Sequence, residues 1–263
     1  VLPELVFQAE HYISPAPDVE EHALQGDQHR QHISGQFNDE LDAMKQHLLE
    51  MGGLVEQQLG QAMDSLLRRD SGQAAAVIAS DKEINRMQVQ IDEECSRILA
   101  LRQPAASDLR LVLAVAKSTT DLERIGDEST KIARQAIKLS ELPPSPGNAT
   151  ELRQIGRHVA AMLRDALDSF ARLDINRAIE VVIDDDAVDT EYDSAMRSLV
   201  ALMMEDARNI SGVLHEMWAL RGLERVGDHA TNIAEQVVYL GRGLDVRHMK
   251  PAELASLLDG ERS

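Results

Sequence analysis

Two stretches of this chain repeat one another. Asp121-Leu122-Glu123-Arg124-Ile125-Gly126-Asp127 and Gly222-Leu223-Glu224-Arg225-Val226-Gly227-Asp228 share the pattern Leu-Glu-Arg-(Ile/Val)-Gly-Asp, and each runs on into Thr-x-Ile-Ala, Thr130 to Ala133 and Thr231 to Ala234. A recurrence this close, about a hundred residues apart, reads as an internal duplication. Further matches at a constant offset extend it, because Asp70, Ala74, Asp81 and Asn85 return as Asp174, Ala178, Asp185 and Asp189.

The periodicity predicts the element that is duplicated. From Phe37 through Leu41, Met44, Leu48, Met51, Val55, Leu59, Met63 and Leu66, apolar residues step by three and four, the stripe of a long amphipathic helix. Asp70-Ser71-Gly72 ends it. A second stripe passes through Ile84, Met87, Ile91, Cys95 and Ile98 to the break at Pro104. A third runs from Leu111 through Leu122, Ile125 and Ile132 to Leu139. Three long helices joined by short turns pack antiparallel as a bundle.

Pro143, Pro144, Pro146 and Gly147 then mark a linker. The plan repeats beyond it. Leu152 to Leu173 stripes a fourth helix, Val188 to Met203 a fifth, and Leu223, Val226, Ala230, Ile233, Val237, Leu240 and Leu244 a sixth. The expected fold is all-α, two similar antiparallel three-helix bundles, with domains at 35–140 and 151–244 and a linker at 141–150. Residues 1–34 read as an irregular N-terminal extension holding four of the nine histidines, and residues 245–263 as a C-terminal tail.

Each repeat carries two acidic pairs four residues apart, which a helix places on one face. In the first repeat these are Asp81 with Asn85 and Glu123 with Asp127; in the second, Asp185 with Asp189 and Glu224 with Asp228. At 100° per residue both pairs turn away from the apolar stripe, and counting from the intervening turn puts them at one height on adjacent antiparallel helices. Converging carboxylates repel unless a cation neutralises them. Hard oxygen ligands suit Mg, Ca, Mn or iron, with Zn a further candidate, and bridging carboxylates can hold more than one ion. The plainer alternative is a solvated acidic face partnered by Arg124 and Arg225. His229, beside Asp228, is an optional further ligand; Glu128 stands in its place in the first copy. Asn85 makes the first site less negative.

Forty-five acidic against 27 basic residues, a formal charge of −18, oppose binding to a phosphate backbone, so a nucleic-acid partner is not expected. A lone cysteine, Cys95, excludes an internal disulfide and reads as a core residue. No apolar run is long enough to span a membrane, and neither GxxxxGK[ST] nor GxGxxG occurs. The absence of Glu-x-x-His weighs against a ferritin-like di-iron oxidase. A carboxylate-bridged metalloenzyme using the same acids around an activated water stays open as an alternative, and a concave pocket beside the metal would distinguish it.

The chain resembles the PhoU family over nearly its whole length from about His32. The resemblance is carried by His32-Ile33-Ser34-Gly35-Gln36-Phe37-Asn38, by Met51-Gly52-Gly53-Leu54-Val55-Glu56, by Arg102-Gln103-Pro104-Ala105-Ala106-Ser107-Asp108-Leu109-Arg110, and by the two Leu-Glu-Arg-x-Gly-Asp copies. It implies two three-helix bundles with metal-binding acidic motifs, which fall here on Asp81 with Asn85, Glu123 with Asp127, Asp185 with Asp189, and Glu224 with Asp228. It also implies a non-enzymatic cytoplasmic negative regulator of the phosphate-starvation response. The partners it implies are the ATPase subunit of a phosphate ABC transporter, a two-component sensor histidine kinase and a second copy of the chain. Contact with the inner membrane would come only through those partners. Asn85 departs from the motif, and the segment before His32 departs from the family's short start.

Overall fold

A computed structural model describes residues 19–143, 149–247, 249 and 251–259, and all of its regular elements are helical. The chain divides into one compact unit ending at Glu40 and another from Leu41 onward. Helix α1 (Val19–Arg68) begins within the segment expected to be irregular, where Gln36 donates to Glu40 one turn on. The calls on residues 1–18 lie outside the described residues.

From Leu41 onward the six expected helices are present. α2 (Ser71–Arg102) and α3 (Ala106–Ser140) complete a first bundle with α1; α4 (Ala149–Arg172), α5 (Ile175–Glu205) and α6 (Ile210–Arg242) make the second. Their apolar stripes are the core: Met44, Leu48, Met51, Leu59, Ile91, Leu122, Ile125, Ile132, Phe170, Val226 and Ile233 are buried. Cys95 is among them, its thiol 3.4 Å from Met44 Sδ and its pKa pushed up to about 12 by burial and then by Asp92 and Glu94.

The duplication is visible in the turns. Asp70 caps α2 by accepting from the Gly72 and Gln73 amides, and Asp174 caps α5 by accepting from the Arg177 amide. Before each cap stands a residue in the left-handed region, Arg69 with φ 54° and Leu173 with φ 53°. In each turn the Asp amide also returns to a serine carbonyl, of Ser65 or Ser169, at 2.9 Å.

One set of contacts, used twice, helps to join the bundles. A Cβ on Gly52 of α1 would lie 2.7 Å from Leu167 of α4, and one on Gly156 of α4 would lie 2.3 Å from Met63 of α1. Gly156 and Leu167 are the repeat counterparts of Gly52 and Met63, so the repeats pack through a pseudo-twofold relation. α3 and α6 cross this junction antiparallel. Partners descend α6 as they ascend α3: Asp121 meets His229, Glu128 meets Arg225, and Gln135 meets His215.

Two helix ends and the tail also differ from the sequence expectation. α4 stops at Arg172, leaving Leu173 45% exposed, and α6 stops at Arg242, where Gly243 takes φ 68° and ends the helix before the expected Leu244. The tail holds a seventh, short helix, α7 (Pro251–Asp259), which begins on a proline, packs on α5 and buries Leu254. Arg242 reaches the Leu257 carbonyl at 3.3 Å.

Candidate metal centre: two acidic seams

The helical spacing brings the expected acids together. In the first repeat α2 and α3 meet at Gly126, where a Cβ would lie 3.3 Å from Ile84. That contact sets Asp81 beside Glu123 and Asp127, which together with burial raise the Glu123 pKa; burial is the largest cause, then Asp127, while Arg124 at 3.6 Å opposes. Asp81 is held by two amides. Asn85 Nδ2 donates to its Oδ2 at 3.1 Å, and Gln58 Nε2 of α1 donates to its Oδ1 at 3.3 Å. Asp81, Glu123 and Asp127 are partly buried and Asn85 is exposed, so the seam lies at the rim of the bundle.

In the second repeat the same construction carries more charge. A Cβ on Gly227 would lie 3.5 Å from Val188 and 3.6 Å from Asp185 Oδ1, so α5 and α6 meet at the acids. Burial first and Asp228 second push Asp185 up to about 6, with the Thr231 hydroxyl opposing. Glu224 is raised by burial and then by Asp228, with Asp189 adding to it. Asp228 is raised by burial and then by Asp189, although one side of it is open to solvent. These mutual effects place all four acids within one electrostatic field.

Among the described residues no three His, Cys, Asp or Glu side chains are gathered into a ready-made ligand set. Arg221 draws Glu224 Oε1 to 2.7 Å. The other Glu224 oxygen, Oε2, is buried without a hydrogen-bond partner among the described residues. A buried carboxylate oxygen with no donor, among neighbours whose pKa values are raised, is chemistry a divalent cation would satisfy. The second seam therefore fits a metal ion better than the first, where amides already occupy Asp81.

The sequence reading named His229, Glu128 and Arg225 near the acids but missed their pairing across the repeats, and it missed Gln58. His229 turns its Nδ1 across to Asp121 Oδ1 of the other repeat at 2.9 Å, a carboxylate that also accepts from Asn232. Glu128, its counterpart, is buried between Arg225 at 2.7 Å and Lys131 at 3.0 Å. These positions tie α3 to α6, so Arg225 pairs mainly across the junction rather than with the acids of its own motif. Gln58 is visible in the sequence only as a polar residue on an otherwise apolar-striped helix. Because one partner in each of these pairs stands where the copies differ, comparison of the copies could not single the pairs out.

A cleft of about 680 Å³ opens between α4 and α5, lined by Met162, Asp165, Arg177, Glu180, Asp184 and Asp186 among others. None of the eight expected site residues lines it. No helix among the described residues is long and apolar enough to cross a membrane.

A PhoU domain model matches residues 48–136 and again residues 152–237. The chain is 56% identical over 229 residues to a phosphate-specific transport system accessory protein PhoU homolog of Pseudomonas putida, covering 87% of this chain and 90% of that one. With the phosphate-specific transport system accessory protein PhoU of Escherichia coli K12 the identity is 46%, over 88% of this chain and 96% of the relative. The crystal structure of PhoU from Pseudomonas aeruginosa superposes with TM-score 0.78 at 56% identity, covering 79% of this chain and all of that one. That of the phosphate transport system regulatory protein PhoU from Streptococcus pneumoniae gives 0.74 at 32% identity, covering 80% and 99%.

Proposed function

Because the chain belongs to the PhoU family, with a PhoU domain in each repeat, we propose that it is a regulatory accessory protein of phosphate transport that binds cations on its acidic seams. In this reading it is a cytoplasmic negative regulator of the phosphate-starvation response. It acts as a homodimer that docks on the ATPase subunit of a phosphate ABC transporter and on a two-component sensor histidine kinase, reaching the inner membrane through them. The relatives' names, phosphate-specific transport system accessory protein, support the transport role.

The observation that carries the cation reading is the Asp185 cluster, whose acids raise one another's pKa around a buried Glu224 oxygen without a donor. Asp185, Asp189, Glu224 and Asp228 would hold the ion in the second repeat; Asp81, Asn85, Glu123 and Asp127 would hold it in the first. A bound Mg, Mn, Zn or iron ion supplies positive charge that cancels the repulsion and ties α5 to α6, or α2 to α3. None of the eight expected ligands lines either the cleft between α4 and α5 or the smaller pocket of about 220 Å³ at Gln58, Ser80 and Ile84, which favours an adaptor over an enzyme, since an enzyme needs a pocket to hold substrate beside its metal.

A phosphate-starvation reporter tests this in cells that lack their own regulator. The wild-type chain is expected to restore repression in high phosphate and to retain the transporter ATPase and the kinase in co-purification. A variant with Glu123, Asp127, Glu224 and Asp228 all changed to amides is expected to lose repression. Full repression by that variant would remove the seams from the function.

A further inference from the structure

We propose that Gln58 is a cation ligand of the first acidic seam, supplying a neutral carboxamide oxygen from a third helix; the inference rests on the cation-binding reading above. The side chain is only 2% exposed, and its carboxamide lies between the two acid-bearing helices, bonded to α2 and beside Gly126 of α3. On the α2 side Nε2 donates to Asp81 Oδ1 at 3.3 Å and to the Val77 carbonyl at 3.4 Å. On the α3 side Oε1 is buried, has no hydrogen-bond partner among the described residues, and lies 3.2 Å from where a Cβ on Gly126 would stand. Gly126 sits between Glu123 and Asp127, so the absence of a side chain there lets the amide oxygen approach the stretch of α3 that carries both acids.

A buried amide oxygen without a donor is unfavourable, and a hard divalent cation held among carboxylates would take such an oxygen as a ligand. Gln58 and Asn85 both donate to Asp81; Gln58 keeps that N–H while offering Oε1 on the α3 side, and half a turn of the exposed Asn85 amide exchanges its nitrogen for its oxygen. The same two side chains can therefore restrain Asp81 without the ion and coordinate beside it with the ion. The second repeat lacks this device. At the repeat offset that relates Gly52 to Gly156, Met162 replaces Gln58 and Asp189 replaces Asn85. The first seam thus has three carboxylates and two amides, and the second has four carboxylates, which makes the first the weaker and more exchangeable site.

The test uses the full chain carrying Glu224→Gln and Asp228→Asn, so that only the first seam reports, with Mn²⁺ as probe in a calorimetric titration. Gln58→Met, the residue the second repeat uses and one of similar size, is expected to weaken Mn²⁺ binding about 10–100-fold. Gln58→Glu, which keeps an oxygen and adds charge, is expected to tighten it. Unchanged affinity in Gln58→Met would overturn the proposal. So would equal weakening by Gln58→Glu, because the side chain would then act only through its N–H on Asp81. If the unsilenced protein binds Mn²⁺ but the silenced one does not, the Gln58 inference alone falls. If neither binds it, the cation reading falls as well. Unfolding midpoints measured without metal confirm that each variant is folded.

Discussion

At the scale of single residues, the account rests on carboxylates that are costly to keep ionised. Asp185 is pushed up to about 6, well above the value near 4 of an unfolded chain. Between those two values the folded protein holds more protons than the unfolded chain, so stability falls as pH rises through the window and the full cost stands above it. Glu235, 8% exposed and pushed up to about 7, mainly by burial, extends the same slope. In chelator-treated protein Asp185→Asn is therefore expected to raise stability at pH 7 by about 1–2 kcal/mol, with little effect at pH 4. Adding Glu235→Gln should flatten the profile further. Denaturant unfolding from pH 4 to 7 measures this, and parallel slopes for wild type and variant would contradict it.

At the scale of helices, the packing glycines separate two costs. Gly60 has open space around its missing Cβ, so Gly60→Ala should stabilise by up to about 1 kcal/mol through helix propensity alone. Gly52→Ala meets the branched, buried end of Leu167 and is expected to cost about 1–3 kcal/mol. Gly156→Ala has the shorter contact, yet it meets the terminal methyl of Met63, an unbranched side chain that can swing aside; it should cost less than Gly52→Ala. Thermal unfolding of the three variants gives the order, and a larger loss for Gly156→Ala would refute the argument from side-chain flexibility. Across the α3–α6 junction, Arg225→Met leaves the buried Glu128 with Lys131 as its remaining cationic partner. A loss of about 1–3 kcal/mol is expected, the partial exposure of Arg225 moderating the penalty of a broken buried pair.

Much of this scale was legible in the sequence. Stripes stepping by three and four located all six long helices, and the Asp70 and Asp174 caps mark their turns because a short acceptor side chain is what an exposed helix start needs. The acids of each motif were legible for the same reason, since four-residue spacing fixes a face. Helix ends were less so: Leu173 and Leu244 continue the apolar period, but the backbone leaves the helix before each of them. α7 is too short to declare a period. The polar contacts between α3 and α6 were illegible because each has at least one partner that differs between the copies, as Asp121, His229 and Glu128 do, even where the other, Arg225, is shared as Arg124.

At the scale of the whole molecule, a duplicated bundle presents two seams of unequal charge, and the central claim is that cations, rather than solvent, neutralise them. The two possibilities differ in the sign of a measurable effect. If solvent alone screens the acids, changing Glu224→Gln and Asp228→Asn relieves repulsion and leaves stability unchanged or slightly higher, with or without metal. If the acids are ligands, binding adds about 2.7 kcal/mol at a hundredfold excess over the dissociation constant, and the variant loses it. The deciding measurement is a Mn²⁺ titration of the thermal unfolding midpoint, starting from chelator-stripped protein, for wild type and for the Glu224→Gln, Asp228→Asn variant. The variant is expected to start at or above wild type and to rise only by the smaller increment that the weaker first seam supplies, while the wild-type midpoint climbs past it as Mn²⁺ increases. Parallel curves for the two proteins would contradict the claim and leave the seams as solvated acidic faces.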